Sequence, residues 1–353
     1  IPPYSTQSLK TKIISTKLWE AYESEEEGAD LEFYIERIAK KIDEPVKKVA
    51  EVIREMVAAE NDLNSGDSRS EEDYRYEEYL AFKGSFDTTR NKEKDFQIEP
   101  QRKQDYGYGV LESVVLAKKL REIRVQIGFS RIKPPQGGDE VSEDTEKIEL
   151  MPVTSDKSIR WRPGYEVRGE GIFVEFNAND LNTWAKKPKV KNHYAGIIAR
   201  SLKAPDSFGL VSTLTPEFIF VHTISHLLIR QLSFECGYPG SALRERLYCS
   251  TSASGKPMYG LLIYTAEGDS DGTLGGLVRQ GKPDLFTDTL AKAIDSARWC
   301  SSDPLCIESE GQGFQAMNLA GCHSCCMLPE TSCEMLNRYL DRASIIGTLG
   351  DDS

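Results

Sequence analysis

The stretch Cys300-Ser-Ser-Asp-Pro-Leu-Cys306, followed by Gly321-Cys322-His-Ser-Cys325-Cys326-Met-Leu-Pro-Glu-Thr-Ser-Cys333, decides how the C-terminal part of this chain must fold. Six of its eight cysteines fall inside this window. Zinc takes four ligands in a tetrahedron, and thiolates two residues apart span one edge, as in Cys322-x-x-Cys325. Cys333 comes next, and the Asp303-Pro304 turn brings Cys300, Cys306 or both into place. Four of the five thiols Cys300, Cys306, Cys322, Cys325 and Cys333 are therefore expected to ligate. Cys326 is set aside because adjacent residues seldom hold one ion, and His323 is a secondary alternative. Thr331 and Glu334 fit a helix capping box, which puts Cys333 in a first helical turn, where free N–H groups favour a thiolate. A four-thiolate site leaves no open position for substrate, so the expected metal is structural.

Working outward, 353 residues with 39% apolar content suffice for one large domain or two modest ones. The net charge of −12 argues against a chain that coats nucleic acid by itself. Contact with phosphates must come from a local basic patch or a basic partner. No stretch approaches the apolar length of a membrane span, and the first residues lack a signal peptide's apolar core. Thiols clustered at metal-ligand spacing then favour a reducing, cytoplasmic setting over a disulfide framework. The opening Ile1 in place of methionine is what a fragment or trimmed product would show.

Residues 1–105 are expected to be mainly helical. Leu31 through Ala39, and Val46, Val49, Ile53 and Val57, place apolar residues at helical spacing, with Pro45 in the first turn of the second helix. The acidic runs Glu25–Glu27 and Glu71–Asp73 read as solvated helix faces. Residues 106–353 are mixed. Val110–Ile127 reads as a helix running into a strand, and Pro134–Glu149 as a loop or insertion. Gly171–Phe176 and Leu261–Thr265 read as strands, and Asp288–Trp299 as a helix. Thr215-Pro216-Glu217 opens a helix through Leu232, with Thr215 as N-cap and Gly237 as its stop. The expected fold class is α+β (mixed α/β) with a C-terminal structural zinc-binding subdomain over residues 299–343.

Other clusters invite chemistry. His222 and His226 lie four apart on one helix face, a spacing that can chelate a metal, completed by Glu267, Asp269 or Asp271. The glutamate of a zinc-hydrolase motif is missing between them, and packed core histidines are the plainer expectation. The glycine-rich loop Asp269–Gly276 lacks the Gly-Lys-Ser/Thr ending of a nucleotide P-loop and reads as a tight turn. Trp184–Tyr194 interleaves Lys186, Lys187, Lys189 and Lys191 with aromatics, as a surface for single strands would. Lys118, Lys119, Arg121, Arg124, Arg131 and Lys133 form a second basic run. No helicase motor motif is present, so ATP hydrolysis by this chain alone is not expected.

The cysteine stretch, together with Asn337-x-x-Leu340-Asp341-Arg342, resembles the zinc-binding C-terminal domain of helicase-associated proteins, which also closes the MrfA family of DNA-repair helicases. His222-Thr-Ile-Ser-His226, Cys236-Gly-Tyr238, Leu243-Arg-Glu-Arg246 and Asp271-Gly-Thr-Leu-Gly-Gly276 are similar to the DrmB family, helicase-partner subunits of the bacterial DISARM anti-phage system. Leu120–Phe129 and Glu166–Phe173 fit the same pattern, so the resemblance spans residues 106–348. It implies zinc binding, association with a superfamily 2 helicase subunit (DrmA-like), and DNA engagement through the complex. It implies no catalytic activity for this subunit. The rival readings are a metal-dependent nuclease or hydrolase using His222 and His226, and a DNA-repair helicase accessory module.

Overall fold

The computed structural model describes residues 9, 12–13, 16–24, 31–61, 71–84, 96–126, 128–129, 151–152, 163–203, 214–251, 255–265 and 275–348. It divides into two compact units, residues 1–90 and 91–353. The division falls before residue 105 because the strand at Gln97–Pro100 pairs with the sheet of the second unit.

The first unit carries helices α1 (Lys17–Ser24), α2 (Leu31–Ile42), α3 (Val46–Asn61) and α4 (Glu71–Phe82). Their apolar residues recur every three to four positions, so Ile35, Ile38 and Ala39 of α2 bury with Val49 and Ile53 of α3 and with Trp19. Pro45 precedes α3, and its carbonyl accepts the N–H groups of Lys48 and Val49. The acidic start of α4 is partly to fully exposed, with Glu71 paired to Arg75 at 3.2 Å. Glu25–Glu27 lie outside the described residues.

The second unit is built on a five-stranded, wholly antiparallel sheet of order β1-β2-β5-β7-β6. In chain order the elements are β1 (Gln97–Pro100), β2 (Leu111–Val125), a two-stranded pair β3 (Gly128–Phe129) and β4 (Met151–Pro152), and β5 (Gly164–Phe176). Then come α5 (Ala178–Ala185), α6 (Pro188–Lys203), α7 (Pro216–Cys236), β6 (Leu243–Ser250), β7 (Met258–Thr265), α8 (Gly276–Gln280), α9 (Pro283–Ala297) and α10 (Ala343–Ile346). This is an α+β arrangement, with the cysteine cluster in its C-terminal part.

Two expectations change. Among the described residues of 110–127 there is no helix, since Leu111–Val125 is one continuous strand. Register shifts between Leu111 and Ser113 and between Ala117 and Leu120 break its two-residue alternation and mimic helical spacing. The helix expected from Asp288 to Trp299 begins earlier, at Pro283, and ends at Ala297, leaving Trp299 73% exposed. Residues 134–149 and most of the 267–276 loop lie outside the described residues.

Helix α7 is the axis of the unit. Thr215 caps it by accepting the Phe218 N–H at 3.2 Å, Pro216 occupies the first turn, and Gly237 ends it at φ 69°. Phe218, Ile219, Val221, Ile224, Leu228, Ile229 and Leu232 bury on several sides, because α7 is covered by β6 and β7, by α9 and by the C-terminal segment. A helix this apolar all round cannot lie on a surface.

Close strand packing sets a test. A Cβ on Gly169 would lie 1.9 Å from the Thr265 carbonyl oxygen, whereas one on Gly196, in exposed α6, meets nothing nearer than 3.6 Å. Gly169→Ala is expected to cost at least about 1–3 kcal/mol in chemical denaturation, since backbone must move. Gly196→Ala is expected to gain about 0.5–1 kcal/mol from helix propensity. Equal effects from the two would contradict this packing.

Candidate metal centres

Between Ala297 and Ala343 the chain has almost no regular secondary structure: turns, one 3-10 turn and a single bridge between Gln312 and Asn318. Its order comes from side chains and from a few backbone bonds, such as Tyr339 N–H to the Met317 carbonyl (2.7 Å) and Arg342 N–H to the Ala320 carbonyl (2.9 Å). Cys300 and Cys306 flank the turn after α9, and the Asp303 carboxylate accepts the N–H groups of Cys300 at 3.1 Å and Ile307 at 3.2 Å. The buried Arg342 binds that same carboxylate and donates to the Ala297 carbonyl at 2.8 Å. The knuckle of Cys322 and Cys325 is held from α7, where Arg230 donates to the carbonyls of Ser324 (2.8 Å) and Met327 (3.2 Å).

These scaffolds bring four sulfurs together. Cys300 and Cys322 approach to 3.4 Å, Cys306 and Cys325 to 3.7 Å, and Cys322 and Cys325 to 3.7 Å, all four lying within 4.8 Å of one another. A zinc tetrahedron with bonds of about 2.3 Å has edges of about 3.8 Å, which these separations match. All eight cysteines are free thiols. Donors also point at the sulfurs: Ser302 N–H at Cys300 (3.4 Å), Cys322 N–H at Cys325 (3.3 Å) and the Gln312 amide at Cys306 (3.4 Å).

The electrostatics suit a bound divalent cation. Burial pushes the thiols of Cys300 and Cys306 up, the latter to about 12. Cys325 is pushed up by its neighbour Cys326 and by burial. At Cys322 burial also opposes ionisation, but hydrogen bonds from Cys325, Cys300 and Ser324 outweigh it and hold the thiol down to about 6. One anion therefore forms readily and the others resist, unless a divalent ion neutralises them. The donor set fits zinc.

Among the five thiols considered from the sequence, Cys333 is not in this group. It lies beside α7 with His222, His226 and Glu245, and these four offer ligand atoms that also lie within 4.8 Å of one another. The capping-box expectation fails there. Leu336 and Asn337 take positive φ (54° and 56°), so no helix follows Cys333. Glu334 instead accepts the Leu247 N–H at 2.9 Å and pairs with Arg246 at 3.1 Å. The N–H groups of Met335 and Asn337 do point at the Cys333 sulfur, at 3.3 and 3.2 Å. Cys326 is buried outside both groups and contacts the Ala320 carbonyl, while His323 is exposed. Glu267, Asp269 and Asp271 lie outside the described residues.

Glu245 is the residue that sequence reasoning missed. In Leu243-Arg-Glu-Arg-Leu247 the carboxylate takes the apolar phase of the strand between two buried leucines, and the arginines take the other face. A charge in the core phase was the available signal. The N-terminus of α8, considered as a phosphate cradle, receives the buried Glu170 carboxylate instead, which accepts the Leu277 N–H at 2.8 Å.

The basic stretches divide. Lys186, Lys187, Lys189 and Lys191 are exposed around the α5–α6 turn. The aromatics between them face inward: Tyr194 is buried, and Trp184 packs on Tyr194 (6.2 Å) and Phe220 (5.8 Å). They are not open for stacking on bases. Arg121 pairs with Glu166 at 2.8 Å and Arg124 with Glu122 at 2.8 Å, so that run is neutralised within the sheet. Arg131 and Lys133 lie outside the described residues. Helix α6 is tied to the C-terminal segment by Asp341, whose buried carboxylate accepts from His193 (2.8 Å) and Tyr194 (2.9 Å).

Residues 224–326 match the MrfA Zn-binding domain, so the chain carries a zinc-binding domain of that type. The chain is also 35% identical over 294 residues to DISARM protein DrmB of Bacillus paralicheniformis. That alignment covers 81% of this chain and 50% of the relative, so the chain spans about half the length of the curated protein it matches.

The His193–Asp341 contact sets a pH dependence. The hydrogen bond to Asp341, opposed by partial burial, raises the His193 value above its usual 6.5. Its stabilisation is complete below about 6.5 and is lost as pH rises through the raised folded value. Wild-type stability relative to His193→Gln should therefore fall across that window, by no more than about 1 kcal/mol for so exposed a ring. A wild-type minus variant difference flat in pH would contradict the pairing.

Proposed function

We propose that this chain, with its MrfA-type zinc-binding domain and DrmB-like sequence, is a zinc-stabilised, non-motor subunit acting in anti-phage defence. Its zinc is held by Cys300, Cys306, Cys322 and Cys325 in a closed, structural site. The observation that carries this reading is the convergence of those four sulfurs to tetrahedral spacing within the matched domain. A closed set of thiolates gives substrate no position on the metal, so the ion's contribution is to folding.

In the finer reading, the chain partners a superfamily 2 helicase subunit (DrmA-like) and contributes to DNA engagement through that complex. Three features support it. The metal-held segment presents apolar side chains outward, with Trp299 73% and Leu305 82% exposed. The net charge of −12 suits a basic protein partner. Lys186, Lys187, Lys189 and Lys191 offer a compact cationic turn against that acidic background. Arg121 and Arg124 carry less of the DNA-contact proposal because their charges are already paired.

The hydrolase reading finds less support. His222 and His226 face Cys333 and Glu245 in a cluster in which all four groups are buried, away from the bulk water and substrate that hydrolysis needs. The repair-accessory reading differs from defence in the identity of the partner.

Native co-purification tests the proposal. Wild-type chain is expected to contain zinc and to bring down a superfamily 2 helicase. The Cys322→Ser, Cys325→Ser double variant should lose the four-thiol zinc and the helicase together. Replacing the four lysines with alanine should leave zinc unchanged and flatten the salt dependence of DNA binding by the complex by up to about 3–4 logarithmic units per decade. Helicase recovery undiminished by loss of that zinc would overturn the link between metal and docking. A recovered DNA-repair helicase would replace defence by repair.

A further inference from the structure

The second cluster is buried between α7, β6 and the turn after Pro329. His222 Nε2 lies 3.3 Å from Cys333 Sγ and 3.2 Å from Glu245 Oε1, and His226 Nε2 lies 3.6 Å from the same oxygen. The two imidazoles meet edge to face, with centroids 4.5 Å apart. Both histidines are fully buried, and Glu245 and Cys333 nearly so.

Such a group is hard to account for as packing. His226 Nδ1 lies 2.9 Å from the Cys326 carbonyl, which fixes the proton on Nδ1 and leaves Nε2 as a bare lone pair facing the cluster. That Nε2 has no hydrogen-bond partner, nor has Glu245 Oε2, although both are buried. Native cores rarely leave polar atoms in this state. The Glu334 N–H donates to Glu245 at 3.1 Å, and two further N–H groups point at the Cys333 sulfur. The four-thiol centre shows the same backbone donors aimed at its sulfurs.

We propose that His222, His226, Glu245 and Cys333 form a second zinc site, distinct from the four-thiol centre. Two neutral imidazoles, one carboxylate and one thiolate give a neutral complex with Zn²⁺, the charge state a dry core favours. Ligand separations of 3.2–3.6 Å match the edges of about 3.4–3.5 Å expected for mixed N, O and S donors. All four positions are taken by protein, so the ion is structural. It joins α7 and β6 to the turn after Pro329, clamping the C-terminal segment onto the sheet.

Metal analysis and zinc-edge X-ray absorption on the full chain, purified without chelator, test this. Two zinc ions per chain are expected, with an average shell of about 2.5 sulfur and about 1.5 nitrogen or oxygen scatterers per ion. His226→Ala or Cys333→Ser should halve the zinc and turn the remaining shell to sulfur alone. Wild-type absorption needs no variant, so a misfolded substitution leaves the test intact. One zinc per chain in an all-sulfur shell would overturn the second site and leave the first standing. Absence of zinc altogether would overturn both.

Discussion

Four thiol sulfurs gathered within 4.8 Å of one another repel once more than one ionises, and a divalent cation is what lets all four do so together. The C-terminal segment depends on that constraint. From Cys300 to Arg342 it contains turns, one 3-10 turn and one bridge, so long-range backbone bonding is sparse and mostly joins residues 317–320 to 339–342. Ties to α7 and α9 add to these: Arg230 onto the knuckle carbonyls, Arg342 between Ala297 and Asp303, and the Asp341 N–H onto Thr223. A metal at the cysteines sets the spacing that lets those ties close together.

The same ties carry structure toward function. Asp341 binds α6 through His193 and Tyr194, and the exposed lysines lie at the start of that helix. In this account the metal-held segment positions both the outward apolar residues and the cationic turn, so one ion organises two surfaces. The relative's name places it in the DISARM system, and the chain's likeness to it carries the proposed defensive role.

Much of this was legible in the sequence where local rules act. Thr215, Pro216 and Gly237 bounded α7 correctly, and Cys322-x-x-Cys325 marked the knuckle. Cys326, set aside for its adjacency to Cys325, lies outside both groups. The failures share a cause, since each depended on long-range contacts. Cys333 was close in sequence to the knuckle, yet its turn folds toward β6, because Glu334 meets the strand backbone at Leu247. Glu245 lies 89 residues from its contact at Glu334, and no local spacing links it to His222. The β2 strand was misread because two register shifts disrupt its period. The Trp184 and Tyr194 rings were read as surface, whereas Phe220 and Asp341 draw them inward.

Hydrogen exchange on the native chain, before and after zinc is stripped by a chelator, probes the central claim most directly. Amides between Cys300 and Arg342 are expected to lose protection as zinc leaves, while the paired strands β2 and β5 keep theirs longer. Unchanged protection across that segment in demonstrably zinc-free protein would contradict it.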